Sequence, residues 1–400
     1  MNIKITYLIT LLFIGSFDLQ PKSFDILREL DIGARVSATY DSNLFGVSPN
    51  VFQQASNTNV EVESEDDLAL NFSPSVHFSR KIYLLNISGS AGVSLTRYVK
   101  NKDKSFVVPV TTLSLDFDES LKKRLSNNAK IRFDASFDLG QHIDTSIADQ
   151  DLVSYTYLTT NLNLRYNHSA KFGVGFGTSY TFKDYQADGL GLNSYNDLNI
   201  IPLSLRAFYI YSEKLDVFTD YTFTNSTSDS KFANAADSIN HSFTVGLNGE
   251  YSSKLKGKIG LGYSWIDYEK LNLDSTSNLV SSFDLTWKHN SKTSSSYFIN
   301  RQFAPTAQGT STFSTNIGSY INHKLTDRLR GNANVSYANI EYTNNFGQNS
   351  KLDQVGLGFG IDFDWKENFI IGSSYSFSLI DYSSENYNRH TLTIYGSGRF

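Results

Sequence analysis

Residues 355–366 set the pattern that the rest of the chain repeats. Val355, Leu357, Phe359, Ile361, Phe363 and Trp365 occupy the odd positions, while Gly356, Gly358, Gly360, Asp362, Asp364 and Lys366 occupy the even ones. Strict alternation of this kind builds a strand with one apolar and one polar face. The run exceeds the ordinary soluble strand of about 5–6 residues. It covers the roughly 9–11 residues that a tilted strand needs to cross a bilayer. Glycine and charge on one face, with an aromatic closing the other, fit a wall between water and lipid.

The same unit recurs along the chain. Ala34, Val36, Ala38 and Tyr40 open it, from Gly33. Ile131, Phe133, Ala135 and Phe137 oppose Arg132, Asp134, Ser136 and Asp138, and Phe172, Val174 and Phe176 oppose Gly173, Gly175 and Gly177. Ile259, Leu261, Tyr263 and Trp265 oppose Lys258, Gly260, Gly262 and Ser264. Residues 293–301 and 107–117 follow it more weakly, and Pro109 sits uneasily in a central ladder because it has no N–H to donate.

Two classes of connection alternate. Short polar ones read as turns at residues 79–81, 168–171, 212–214, 252–254, 290–292 and 366–368. Longer ones, rich in Asn, Asp and Ser, read as loops, the first at residues 46–66 and the last at 383–388. The pattern predicts an all-β protein: a single closed antiparallel transmembrane β-barrel of about 18 strands, with 16 the nearest alternative, short periplasmic turns and longer extracellular loops. The barrel is expected over residues 33–400, and its size calls for an aqueous lumen. Residues 1–17, with Lys4 before an apolar run, read as a signal peptide, and residues 18–32 as a periplasmic linker.

The expected lumen face carries Lys130, Arg132, Asp134, Asp138, Arg165, Arg206, Asp216, Asp220, Glu250, Lys258, Asp284, Asp362 and Asp364. Mixed signs argue against strong ion selectivity and allow cross-strand pairing. Tyr180, Tyr263, Trp265, Tyr337, Trp365 and Tyr375 are expected in an aromatic girdle, where a ring is half buried and its polar tip is wet. Phe400 ends an alternating strand as an expected insertion signal. The outward positions just before it, Gly398 and Gly396, are glycine rather than large apolar residues.

Composition narrows the chemistry. The absence of cysteine excludes disulfides, thiolate catalysis and lipidation of an N-terminal cysteine. A net charge of −5 over 400 residues gives no sign of a nucleic-acid partner. Mean hydropathy of −0.30 is compatible with a barrel, whose two faces average out. His142, Asp144 and Ser146 are the best candidate for hydrolysis. They share one strand face, point in parallel and do not converge as a nucleophile, base and acid must. The carboxylates Glu61, Glu63, Glu65, Asp66 and Asp67 read as a solvated acidic loop more readily than as a Ca²⁺ site. No cofactor is expected.

The first strand runs into Tyr40-Asp41-Ser42-Asn43-Leu44. This resembles the Tyr-Asp-(Asp/Ser)-Asn-(Ile/Leu) start of a family of outer-membrane β-barrel porins, often encoded beside exopolysaccharide or exosortase gene clusters. The resemblance implies location in the cell outer membrane and no catalytic residues. The expected function is a water-filled passage for small solutes, or a part in export or assembly of envelope polysaccharide. A non-conducting structural or surface-display barrel is the alternative, ahead of an outer-membrane hydrolase. The expected partners are outer-membrane lipid and lipopolysaccharide, the barrel-assembly machinery, and the polysaccharide or small solutes themselves.

Overall fold

The computed structural model describes residues 30–57, 63–82, 85–117, 130–146, 151–186, 195–229, 237–269, 275–305, 311–343, 349–382 and 385–399. The expected signal peptide, residues 18–29 of the linker, Glu61 and Phe400 lie outside them.

The described chain is one antiparallel sheet of 18 strands in meander order. The first six strands are β1 (Leu30–Asp41), β2 (Asp67–Ile82), β3 (Leu85–Tyr98), β4 (Phe106–Phe117), β5 (Lys130–Ser146) and β6 (Asp151–Asn167). The next six are β7 (Phe172–Gln186), β8 (Asp197–Ser212), β9 (Leu215–Asp229), β10 (Ser238–Glu250), β11 (Leu255–Tyr268) and β12 (Thr276–Lys288). The last six are β13 (Thr293–Pro305), β14 (Ser311–Lys324), β15 (Leu329–Thr343), β16 (Asn349–Lys366), β17 (Phe369–Tyr382) and β18 (Glu385–Arg399). The sheet closes because β1 pairs with β18, from Gly33 opposite Arg399 to Asp41 opposite Thr391. Closure gives each described strand a hydrogen-bonded neighbour on both sides, as a wall in hydrocarbon requires.

Alternation sorts the two faces. On β16, Val355, Leu357, Phe359, Ile361, Phe363 and Trp365 are all exposed on the outside, Phe359 at 57%. The same holds for Phe172, Val174 and Phe176 on β7 and for Leu261, Tyr263 and Trp265 on β11. The intervening polar and glycine positions line the inside. Apolar side chains left bare around the entire circumference have no place in water, and hydrocarbon is the solvent that suits them.

Several boundaries differ from the sequence reading. Strand β1 begins at Leu30, inside the expected linker. Ser79, Arg80 and Lys81 lie within β2, which runs on to Ile82. Pro109 does sit in a central strand, opposite Val93. Nearby, the pairing of β2 and β3 passes from Phe72–Leu95 to Ser75–Gly92, with Pro74 between. Strand β5 reaches Ser146 and β9 reaches Asp229, into segments 143–151 and 226–238 that read as loops in the sequence; past Gly140, β5 is paired with β6 and no longer with β4. The last long connection shrinks to residues 383 and 384, since β17 ends at Tyr382 and β18 starts at Glu385. The first long connection contains a helix, α1 (Pro49–Asn57).

Buried apolar side chains gather at the long-loop end. Leu44, Phe45, Val47 and Ala55 pack with Tyr98 and Leu152. Leu352, Ile380 and Tyr387 form a second cluster there, and Val153, Tyr195 and Leu198 a third.

Candidate functional site

The chain leaving β1 turns into the barrel mouth. Asn43 makes the turn: its Oδ1 accepts from the N–H of Gly46 at 2.8 Å and of Val47 at 3.1 Å, and its Nδ2 donates to the Val47 carbonyl at 2.6 Å. Gly46 takes φ 66°, a conformation that favours glycine. Ser48 precedes α1 and accepts from Val51 N–H at 3.3 Å, with Pro49 as the first helical residue. A serine cap followed by proline is a favoured helix start.

Strands from both sides of the barrel seam hold this segment. Arg389 of β18 donates to Asp41, Nε to Oδ1 at 3.0 Å, and to Thr145 Oγ1 of β5 at 2.9 Å. Thr145 in turn donates to the Leu44 carbonyl at 2.6 Å. Tyr387 donates to the Gly46 carbonyl at 2.5 Å, and Ser48 Oγ to the Glu385 carboxylate. Phe45 and Val47 are fully buried, and Phe45 lies 6.0 Å from Phe52 of α1, centre to centre. The first connection is therefore an inward-folded segment that narrows one end of the expected aqueous lumen. The clusters on the inner faces of β15–β18 and beside β6 and β8 make that end more apolar still.

The opposite half of the inner wall is wet and charged. Arg165 spans two strands to reach Asp216 on β9 at 2.7 Å, and its guanidinium lies 4.2 Å from the centre of the Phe208 ring. Arg206 donates to Asp220, Nε to Oδ2 at 2.8 Å. Lys258 stands opposite Asp284 in the ladder and 5.3 Å from the Phe218 ring centre. Arg132 and Arg165 face each other across β5 and β6. Like charges directly opposite are unfavourable. Asp134 accepts from Asn163 at 2.9 Å and Asp138 from Tyr157 at 3.2 Å. Arg330 grips Asp364 through two bonds, of 3.0 and 2.7 Å, while Asp362 accepts from Tyr395. Glu250 pairs with Lys214 of the β8–β9 turn at 2.7 Å. Of Lys130 only the backbone is described.

The six girdle positions point outward. Tyr263, Trp265 and Tyr337 sit toward the long-loop end, Tyr375 at mid-strand and Trp365 at the short-turn end. Tyr180 donates to Asn199 at 2.8 Å and Tyr337 to Asp353 at 2.6 Å. Two histidines stand beside outward tyrosines: Tyr221 bonds His241 at 2.7 Å and Tyr375 bonds His390 at 2.8 Å.

The remaining candidates make local contacts and do not converge on one point. His142 Nε2 lies 4.0 Å from Asp144, and its ring packs on Tyr155. Asp67 accepts from the N–H of Val99 and Lys100, and Asp66 pairs with Lys100 at 2.6 Å. That bond, with a second from Ser64, holds the Asp66 carboxyl below the usual aspartate range. Burial, and then the neighbouring Asp66, push Glu65 up. Among the described residues no cluster of three metal-ligating side chains occurs.

The residues that fix the inward segment, Asp41, Asn43, Thr145, Tyr387 and Arg389, were not picked out as a site by the sequence reading. Asp41 and Asn43 belong to the quoted first-strand motif, which was their only signal. Arg389 and Thr145 lie far away in the chain and carried none.

Residues 33–395 match the family described as Putative beta-barrel porin 2. No curated protein matches the sequence. Among solved structures, Pseudomonas aeruginosa OpdK with vanillate superposes with a TM-score of 0.50 at 7% identity, covering 93% of this chain and 99% of that one. Pseudomonas aeruginosa OpdO gives 0.49 at 9% identity, covering 94% and 99%. A bacterial polysaccharide outer membrane secretin gives 0.36 at 11% identity, covering 92% and 98%. Likeness at such identity concerns the fold.

Proposed function

Since this chain belongs to the family described as Putative beta-barrel porin 2, we propose that it is an outer-membrane porin that passes small polar solutes and restricts them at the extracellular mouth with its own first loop. The observation that carries this reading is the buried segment Leu44–Val47 with α1, bonded to β18 on one side and β5 on the other. Below it, paired charges keep the wall hydrated without giving it a strong net sign. A solute must fit past the segment. A polysaccharide chain passes only if the segment leaves.

Catalysis has no place in this reading, because His142, Asp144 and Ser146 project in parallel from β5 and offer no convergent nucleophile and base. On this reading the barrel's partners are the membrane lipid, its lipopolysaccharide and the assembly machinery.

Conductance in planar bilayers tests the proposal. The wild type gives small discrete steps, and a variant with residues 46–62 replaced by a short Gly-Ser linker gives larger ones. Absence of steps in both proteins would favour the non-conducting structural barrel. Steps of equal size in both would remove the loop from the passage.

A further inference from the structure

The outer wall is not evenly covered. A row of outward positions runs along the hydrogen-bonding direction from Val107 through Leu95, Phe72, Val36 and Gly396 to Ile371. Val107 is the second residue of β4, at its extracellular end, and Ile371 the third of β17, at its periplasmic end. The row therefore descends through the membrane as it crosses six strands. Toward its lower end it lacks a side chain, at Gly396, and the nearby Ala38 of β1 is small. Large residues stand on both sides, with Trp365 and Phe369 closing the lower end. The result is an apolar groove of about 1250 Å³, above the roughly 300–1,000 Å³ of ordinary ligand pockets.

The upper end of the groove is cationic. Arg97 and Lys102 line it. Among the described residues, no ion pair involves either one. The adjacent carboxylates are engaged elsewhere: Asp66 holds Lys100 at 2.6 Å, and Asp103 lies 3.7 Å from Lys104. Two cations at the extracellular boundary above an apolar channel match an amphiphile with an anionic head and long acyl chains.

We propose that this groove binds one phosphorylated glycolipid of the outer leaflet, lipid A in type, with a phosphate at Arg97 and Lys102 and acyl chains laid along Leu95, Phe72 and Val36 toward Gly396. A second copy of the chain is a poorer occupant. A two-fold axis normal to the membrane would bring each Arg97 and Lys102 toward their own counterparts. The inference is independent of what crosses the lumen.

The test uses the full-length barrel in phosphatidylethanolamine nanodiscs doped with bis-phosphorylated lipid A, and counts retained lipid by native mass spectrometry. The wild type keeps one lipid A. Arg97→Gln and Lys102→Gln each weaken retention about fivefold, the effect of one cation near an anionic lipid surface. Gly396→Leu fills the groove and abolishes retention while heat-modifiable gel mobility stays normal, since a Cβ there meets nothing closer than Phe369 Cζ at 3.5 Å. If Gly396→Leu fails to fold, the two charge variants decide the matter. Unchanged retention in those variants, equal retention of phosphatidylethanolamine, or a dimer in place of the lipid would each overturn the proposal.

Discussion

Arg389, near the start of the last strand, donates to Asp41, the last residue of the first, with Nε 3.0 Å from Oδ1. The pair bridges the seam where the barrel closes and lies at the root of the inward-folded segment. Both side chains are largely buried, at 16% and 10% exposure. Arg389→Met strands a buried carboxylate, so the urea midpoint in detergent micelles should fall by the equivalent of about 3–5 kcal/mol. The double variant Asp41→Asn with Arg389→Met should recover most of that loss, because no charge is left unpaired. Equal losses in the single and double variants would mean that the pair does not act as a unit.

Asn43→Ala removes the side chain that binds Gly46 and Val47. Leaving such buried backbone groups unpaired costs about 1–3 kcal/mol. The cost is local to the segment. Thermolysin should therefore cut between residues 44 and 57 faster in the variant, with little change in global unfolding. A matching rise in bilayer conductance would tie the segment to the passage.

Gly249 and Gly257 stand opposite each other near the short-turn ends of β10 and β11, with φ of +142° and +153°. A Cβ on Gly257 would lie 1.9 Å from the Asp284 carbonyl oxygen. The conformation is essentially restricted to glycine, and forcing another residue into it costs about 1–3 kcal/mol. Gly257→Ala should lower the yield of heat-modifiable barrel on refolding, whereas Gly396→Ala should not.

The pH response of the first loop follows from Asp66. Its carboxyl is held low in the folded state, first by the hydrogen bond from Lys100 and then by that from Ser64. A depressed folded value contributes stability above the unfolded aspartate range, and that contribution is lost as pH falls through the folded value. The Asp66–Lys100 contact should thus be intact at neutral pH and survive mild acid, then release below the ordinary aspartate range. Acid-induced protease sensitivity of the loop measures the release, and Asp66→Asn should remove the pH dependence of this contact.

What was legible in the sequence follows from locality. Alternation between Val355 and Trp365 depends on backbone geometry alone, so strand identity, the outward face and the strand number could be read from it. Strand ends are harder, because residues such as Ser79, Asp144 and Ser228 are equally at home in a turn and on the wet face of a long strand. The inward segment was hidden for a different reason. Its anchors pair Asp41 with Arg389, separated by most of the chain, and only closure of the barrel brings them together. Helix α1 carries a local signal in Ser48 and Pro49, inside a polar run that reads as a loop.

The account stands on one assignment, that odd positions of β16 face lipid and even positions face water. The chain has no cysteine, so single-cysteine variants report cleanly. Reaction with a membrane-impermeant thiol reagent in intact proteoliposomes should be fast at Gln354, Asp362 and Asp364 and negligible at Leu357, Phe359 and Ile361. Labelling that ignores parity, or favours the odd positions, would contradict it.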